Sequence, residues 1–319
     1  MRRLVSLAVS LLILGVIYWK IDFRPLAQAF QRSNGWWMTI SLGMVLPLTL
    51  LTAWRLQQLM PQGTRLGFCE ANRLILAASA LNMVLPSKMG DLAKAYFMRE
   101  RGHLDGSLSL SLVVFEKGCD TLSLLLWCLF GLMLYPDKGW LFWAMTASVL
   151  TGLAAGLLLL SSRKSAHLLI TIGRTLSPER FRHHLETFRC SWDEMHEYFW
   201  SNKVQLSKVA GSSVFIWFLH LLQIWFFILS LRAWTPFLAN LALAPLAILA
   251  GLLPLTFAGV GTRDAALIAF YQPFFNAPTA AALGLLCTSR YLLPAIGGLP
   301  FLGQYLASIR SLRIQPSRF

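Results

Sequence analysis

The chain has 319 residues, 56% of them hydrophobic and only 13% charged, with a mean hydropathy of +0.58. Soluble domains carry about 25% charged residues, so an ordinary soluble fold is excluded and residues 1–319 read as a single polytopic membrane domain. Net charge is +14, from 28 Lys+Arg against 14 Asp+Glu; a nucleic-acid partner would need a solvated basic patch with reading elements, whereas these cations sit mostly in loops between apolar spans, as the positive-inside bias and anionic headgroups require.

In chain order, Arg2-Arg3 precede an apolar run from Leu4 to Trp19. No small-x-small cleavage site follows and Lys20 closes the run, so an uncleaved first transmembrane helix is expected rather than a signal peptide. Ile21 to Phe30 looks like a short interfacial segment. Full spans are expected near 4–20, 36–56, 105–134, 140–160, 208–231 and 278–308, about six in all. Two further apolar stretches, 66–101 and 237–275, are interrupted by proline, glycine and charge. The interruptions run Asn82-Met83-Val84-Leu85-Pro86-Ser87-Lys88-Met89-Gly90-Asp91 and Leu253-Pro254-Leu255-Thr256-Phe257-Ala258-Gly259-Val260-Gly261-Thr262-Arg263-Asp264. In lipid, unpaired backbone and bare charge survive only where they line a polar cavity or are buried in protein.

Loop charge sets the expected topology. The stretch from Arg163 to Lys208 also holds Lys164, Arg174, Arg180, Arg182, Arg189 and Lys203, so it should be cytoplasmic. Arg2 and Arg3, with Arg310, Arg313 and Arg318, put both termini on that side, and the turn Pro136-Asp137-Lys138-Gly139 outside. Segment 66–101 must then enter and leave from the cytoplasm, and 237–275 from the outside. The fold expected is therefore all-α, with about six full transmembrane helices plus two oppositely oriented re-entrant helical hairpins in an inverted repeat, 36–134 against 208–308. The connector is the 140–160 helix and a cytoplasmic basic loop, 161–207. Within that loop Phe181, Leu185, Phe188, Trp192, Met195 and Phe199 recur at helical spacing after Ser177-Pro178-Glu179, an amphipathic helix that lies on the bilayer or caps the bundle. A regulatory docking helix is the sharper alternative.

Paired broken segments are the sequence pointer to a transporter-type site, and the polar residues around them are the candidates. Lys88, Asp91 and Lys94 are spaced by three and share a helical face if Gly90 onward is helical, where they would pair with one another. Glu116, Lys117 and Asp120 interrupt the next span, with Glu116 and Asp120 stacked four apart. These groups are either a structural ion-pair cluster pinning the hairpin or a polar cavity in which Asn82, Lys88 and Lys94 meet an anion and Asp91, Glu116 and Asp120 act as counter-ions or proton carriers. At the second break, Gly259 and Gly261 free backbone N–H groups before Arg263-Asp264, a seat for an anion at a helix start. Arg263 adds a bidentate phosphate fork. Arg290 either closes the same site or snorkels to the outer interface. His220 and Gln223 are read as interhelical hydrogen-bonding residues, and Gly152 with Gly156 as a close helix contact.

The five cysteines, Cys69, Cys119, Cys128, Cys190 and Cys287, lack ligand spacing, so no metal or disulfide framework is expected. Phosphate-loop, G-x-S-x-G and H-E-x-x-H signatures are missing. No catalytic residue and no cofactor is assigned, and the chain is expected not to be an enzyme.

At these residues the sequence resembles the flippase-like membrane family named after the transmembrane region of lysylphosphatidylglycerol synthases. Asn82, Pro86, Lys88, Gly90 and Asp91, then Glu116 and Asp120, fit one motif of that family; Pro254, Gly259, Gly261 and Arg263 fit a second. Asp264 stands where the family usually has Glu, which shortens the carboxylate's reach. No soluble aminoacyl-transfer domain is expected after residue 308, so only lipid handling is carried over. The resemblance implies a bacterial inner-membrane protein that translocates an anionic phospholipid or a polyprenyl-linked glycan between leaflets, through a mid-membrane polar cavity where the two breaks meet. The alternative is an accessory subunit docking a glycosyltransferase or lipid-modifying enzyme through its basic loop.

Overall fold

The computed structural model describes residues 23–61, 66–84, 90–102, 104–135, 138–176, 179–252 and 261–313. Among these the regular structure is entirely helical: α1 (Phe23–Gln31), α2 (Gly35–Gly43), α3 (Val45–Leu59), α4 (Phe68–Val84), α5 (Gly90–Gly102), α6 (Gly106–Leu134), α7 (Trp140–Ser161), α8 (Arg163–Leu176), α9 (Glu179–Ser201), α10 (Lys203–Ser230), α11 (Phe237–Leu252), α12 (Thr262–Tyr271) and α13 (Ala277–Arg313). The all-α membrane expectation holds. Five helical stretches are long and apolar enough to cross a bilayer: Gly35–Leu59, Gly106–Leu134, Phe142–Ser161, Lys203–Ser230 and Ala277–Gly303. They coincide with five of the six expected spans; the first, 4–20, lies outside the described residues.

Local sequence explains where the long helices begin. A helix start leaves backbone N–H groups without partners, and a short polar side chain one residue ahead can take them. Asn34 Oδ1 accepts from Trp36 N at 3.0 Å, Asp105 Oδ2 from Ser107 N at 2.8 Å, Asn202 Oδ1 from Gln205 N at 3.1 Å, and Asn276 Oδ1 from Thr279 N at 3.0 Å. In lipid such caps matter more, because water does not substitute for them.

Both interrupted stretches are split into paired helices. Segment 66–101 forms α4 and α5, which pack against each other, and 237–275 forms α11 and α12, likewise paired. Gly90, the first residue of α5, makes the first pairing possible: a Cβ there would sit 2.5 Å from Ala78 O and 2.6 Å from Asn82 N. No side chain fits that approach. Lys88, Pro86, Pro254 and Gly259 fall outside the described residues.

The helices gather into two compact units, each built from three stretches of chain. One comprises 1–48, 118–159 and 210–290, the other 49–117, 160–209 and 291–319. The core of the first is aliphatic and aromatic, with Leu124, Cys128, Leu221, Phe227, Tyr271 and Leu283 fully enclosed. Gly152 and Gly156 let α7 close on α6, where added Cβ atoms would lie 3.1 Å from Leu125 Cδ1 and 2.7 Å from Leu122 Cδ2; the small-residue pair is a packing device. Here too Gln223 Nε2 donates to Ser41 O at 2.8 Å, an interhelical bond of the kind expected. In the second unit Gly298 of α13 meets the backbone of α4, with Leu76 O only 1.9 Å from where a Cβ would stand.

The basic connector is two helices, α8 and α9, packed on one another. Trp192, Met195 and Phe199 of the expected amphipathic stripe are buried, and Phe199 stacks on Phe115 of α6 with ring centroids 4.5 Å apart. That face of α9 therefore caps the protein instead of lying on lipid.

Candidate functional site

The second unit buries a charged cluster around one carboxylate. α6 carries Glu116 inward, 1% exposed. Its Oε1 accepts from Arg55 Nη2 of α3 at 2.8 Å, and its Oε2 accepts from Lys94 Nζ of α5. Both cations are as enclosed as the acid, at 2% and 1% exposure. One turn earlier on α5, Asp91 meets Lys117 Nζ at 2.9 Å in a more open setting. Asp91 and Lys94 were expected to pair along their own helix. Being three apart they do share a face, but that face is turned to α6, whose adjacent Glu116 and Lys117 offer one partner of each sign. Asp120, one turn beyond Glu116, is half-buried.

Arg55 and Lys94 both contact the one enclosed carboxylate, with the Asp91–Lys117 pair one turn away. Desolvating charge is expensive and is repaid only by close, well-directed partners, so these ionisable groups depend on one another. Asn82, at the close approach of α4 to Gly90, has a buried Oδ1 without a hydrogen-bond partner among the described residues, and is not among the groups that contact Glu116 there.

The first unit holds a second cluster at the start of α12. Gly261 has φ 105° and ψ −64°, a backbone region that only glycine enters readily, and this turn launches the helix. Asp264 Oδ2 accepts from Gly261 N at 3.3 Å, half of a capping box. Its Oδ1 receives Arg263 Nε at 2.9 Å and Nη2 at 2.7 Å. The same Nη2 reaches Gly284 O at 3.0 Å and Thr288 Oγ1 at 2.8 Å on α13. The guanidinium thus ties α12 to α13. Arg263 and Asp264 are buried, and so is Arg290 further along α13; Arg290 is enclosed by protein rather than snorkelling. Cys287 is in electrostatic reach of all three. The shorter Asp264 matches the room available, since a Cβ on Gly284 would come within 2.8 Å of its Oδ1 and 2.9 Å of its Cγ.

Of the candidates, the structure brings together Asp91, Lys94 and Glu116 in one cluster, with Asp120 one turn beyond. It joins Gly261, Arg263 and Asp264 in another, with Arg290 on the facing helix. Lys88 and Gly259 are outside the described residues. Arg55 was not expected. A lone cation near the end of an apolar span with no carboxylate on its own helix either pairs with another helix or reaches an interface, and the sequence does not choose between them. Gly284 and Thr288 carry no sequence signal, because their role is to accept a hydrogen bond and to leave space.

Apolar helices long enough to span a bilayer, with charged side chains enclosed among them, define a polytopic α-helical membrane protein. Residues 3–298 match the family described as the lysylphosphatidylglycerol synthase TM region, and the chain belongs to that family. No curated protein matches it.

Proposed function

We propose that this protein moves an anionic amphipathic lipid, or a lipid-linked sugar phosphate, from one leaflet to the other, as a carrier and not an enzyme. The observation that carries the proposal is the cluster of ionisable groups enclosed among apolar helices, where Arg55 and Lys94 share Glu116. A phosphate headgroup would take the place of a carboxylate beside Lys94, and acyl chains would stay in lipid. Membership of a family whose name refers to a lipid-modifying enzyme's membrane region supports the choice of a lipid. In this reading the paired helices α4–α5 and α11–α12 are re-entrant hairpins entering from opposite faces, related as an inverted repeat, in a bacterial inner membrane. The basic connector and both termini are cytoplasmic by the positive-inside bias. Contact between Asn34 N and Ser230 O, 2.6 Å, supports the opposite, outer side for the start of α2 and the end of α10, where Trp36 and Trp234 are strongly exposed, as anchoring aromatics are at an interface.

The test is reconstitution of the purified chain into liposomes holding a fluorescent anionic phospholipid, with a membrane-impermeant quencher reading transbilayer movement. Movement abolished by Lys94→Met and Asp91→Ala, in variants that still fold, is expected. Movement that is missing from the wild type, with a glycosyltransferase or lipid-modifying enzyme copurifying, favours the accessory role instead. New lipid product formed by the chain alone would identify a transferase.

A further inference from the structure

The helix α8 presents an exposed apolar surface apart from both charged clusters. Its sequence, Arg163-Lys164-Ser165-Ala166-His167-Leu168-Leu169-Ile170-Thr171-Ile172-Gly173-Arg174-Thr175-Leu176, contains no carboxylate. At about 100° per residue the helix divides into three sectors. One carries Arg163, Ala166, His167 and Arg174 and faces α9: Ala166 is buried, His167 Nε2 meets Asp193 Oδ1 at 2.6 Å, Arg174 Nη1 meets Glu186 Oε1 at 3.1 Å, and Arg163 Nη2 meets Glu197 Oε2 at 3.4 Å. The second sector carries Leu168, Leu169 and Ile172, exposed at 62%, 54% and 45%. The third, beside it, carries Lys164, Thr171 and Thr175, all exposed.

Three large aliphatic side chains in one exposed sector are unfavourable in water, by about 25 cal/mol for each Å² left wet. The pattern of an apolar sector rimmed by cations and hydroxyls is that of a helix lying in the plane of a membrane surface. Two observations name the occupant. Ser162 alone separates α8 from the membrane-spanning α7, so α8 starts at the level where α7 leaves the bilayer. The last carbonyls of α7 are held by the connector: Trp200 Nε1 donates to Leu160 O at 3.2 Å, and His196 Nε2 lies 3.1 Å from Ser161 O. Lys164, with no acid on its helix, complements anionic headgroups.

We propose that α8 is an interfacial helix that seats Leu168, Leu169 and Ile172 in the acyl boundary of an anionic leaflet, with Lys164 at its phosphates. α9 is joined to α8 by ion pairs and stacked on Phe115 of α6, so the seat would hold the connector against α6.

The full-length chain, with its five cysteines replaced, would carry one spin label at a time through Leu168→Cys, Ile172→Cys, Thr171→Cys or Thr175→Cys. These positions are exposed, so folding should survive, checked by the melting temperature. Nanodiscs of phosphatidylcholine alone are compared with discs of phosphatidylcholine mixed with phosphatidylglycerol. In the anionic discs, the label at 172 should be reached by oxygen and shielded from a water-soluble nickel chelate, the label at 171 should show the reverse, and those at 168 and 175, about 20° apart on the helix, should fall between. Lys164→Gln should lower the odds of the shielded state about fivefold in those discs. Equal exposure of all four labels to the chelate would overturn the proposal. So would shielding at 172 that is the same in both discs and indifferent to Lys164→Gln, or spin–spin coupling between copies at position 168, which would mean self-association through this face.

Discussion

Arg55 and Lys94 grip opposite oxygens of the same carboxylate, Glu116, from two different helices. The three groups are almost wholly enclosed, and their stability consequences are asymmetric. Glu116→Gln strands two buried cations, and removing one partner of a buried pair destabilises by about 3–5 kcal/mol. Lys94→Met leaves Glu116 its Arg55 partner, so its loss should be smaller, about 1–2 kcal/mol. Denaturant unfolding of the purified chain in detergent should rank Glu116→Gln well below Lys94→Met. The reverse order would mean that Lys94, not the carboxylate, organises the cluster.

Arg263 makes a geometric demand that charge alone does not meet. Its Nε and Nη2 share Asp264 Oδ1, and Nη2 also reaches Gly284 O and Thr288 Oγ1. A lysine ammonium is a point donor on a flexible stem and does not reproduce a planar fork. Arg263→Lys should therefore destabilise almost as much as Arg263→Met, by about 2–4 kcal/mol for a buried charge-assisted network. Thr288→Val, which removes one acceptor, should lose about 1 kcal/mol. Melting temperatures of the three variants in one detergent check the order; a stable Arg263→Lys would show that charge suffices.

The helical class, five of the spans and the division of both interrupted stretches were legible because lipid enforces a plain code: long apolar runs, charged loops and polar caps at the starts. Lys94 and Glu116 were legible for the same reason, as ionisable groups inside apolar runs. Their partners were not, because a helical face gives the direction of a side chain but not which helix stands opposite. Arg55 illustrates the gap. It sits near the end of α3, where a cation can equally reach an interface, and only the packing of α6 turns it inward. The α9 stripe shows in the sequence as apolar residues at helical spacing, while the exposed sector of its neighbour α8 is masked by the basic residues that flank its short apolar run.

Glycine positions separate contact from permissiveness. Gly298 meets Leu76 O at 1.9 Å and Gly131 meets Ala242 O at 2.2 Å when a Cβ is added, both against backbone that has no rotamer to give. Gly298→Ala and Gly131→Ala should each force helices apart and destabilise by about 1–3 kcal/mol or more, as overpacking does. Gly211, inside α10, has nothing within 4 Å of an added Cβ. Gly211→Ala should stabilise by about 0.5–1 kcal/mol through the unfolded chain's lost freedom. Thermal unfolding of the three variants side by side checks this, and a destabilised Gly211→Ala would mean that another molecule packs on that face.

His196 makes the cap on α7 sensitive to pH. Its Nε2 lies 3.1 Å from Ser161 O and so carries the proton, while Nδ1 accepts from Arg163 Nε at 3.2 Å. Burial, joined by the nearby Arg163 guanidinium, pulls its pKa below the ordinary 6.5, although the Ser161 bond and Asp193 oppose the shift. A group whose pKa is lower folded than unfolded adds stability that is complete above the unfolded value and is lost as pH falls from about 6.5 through the folded value. Protonation would also set an N–H at Nδ1 against Arg163. The difference between wild type and His196→Gln isolates the effect. The wild type's melting temperature should fall relative to that of His196→Gln as pH drops below about 6.5, with the gap closing above it. A gap that does not change with pH would mean that His196 keeps its proton count on unfolding and that the Arg163 contact is incidental.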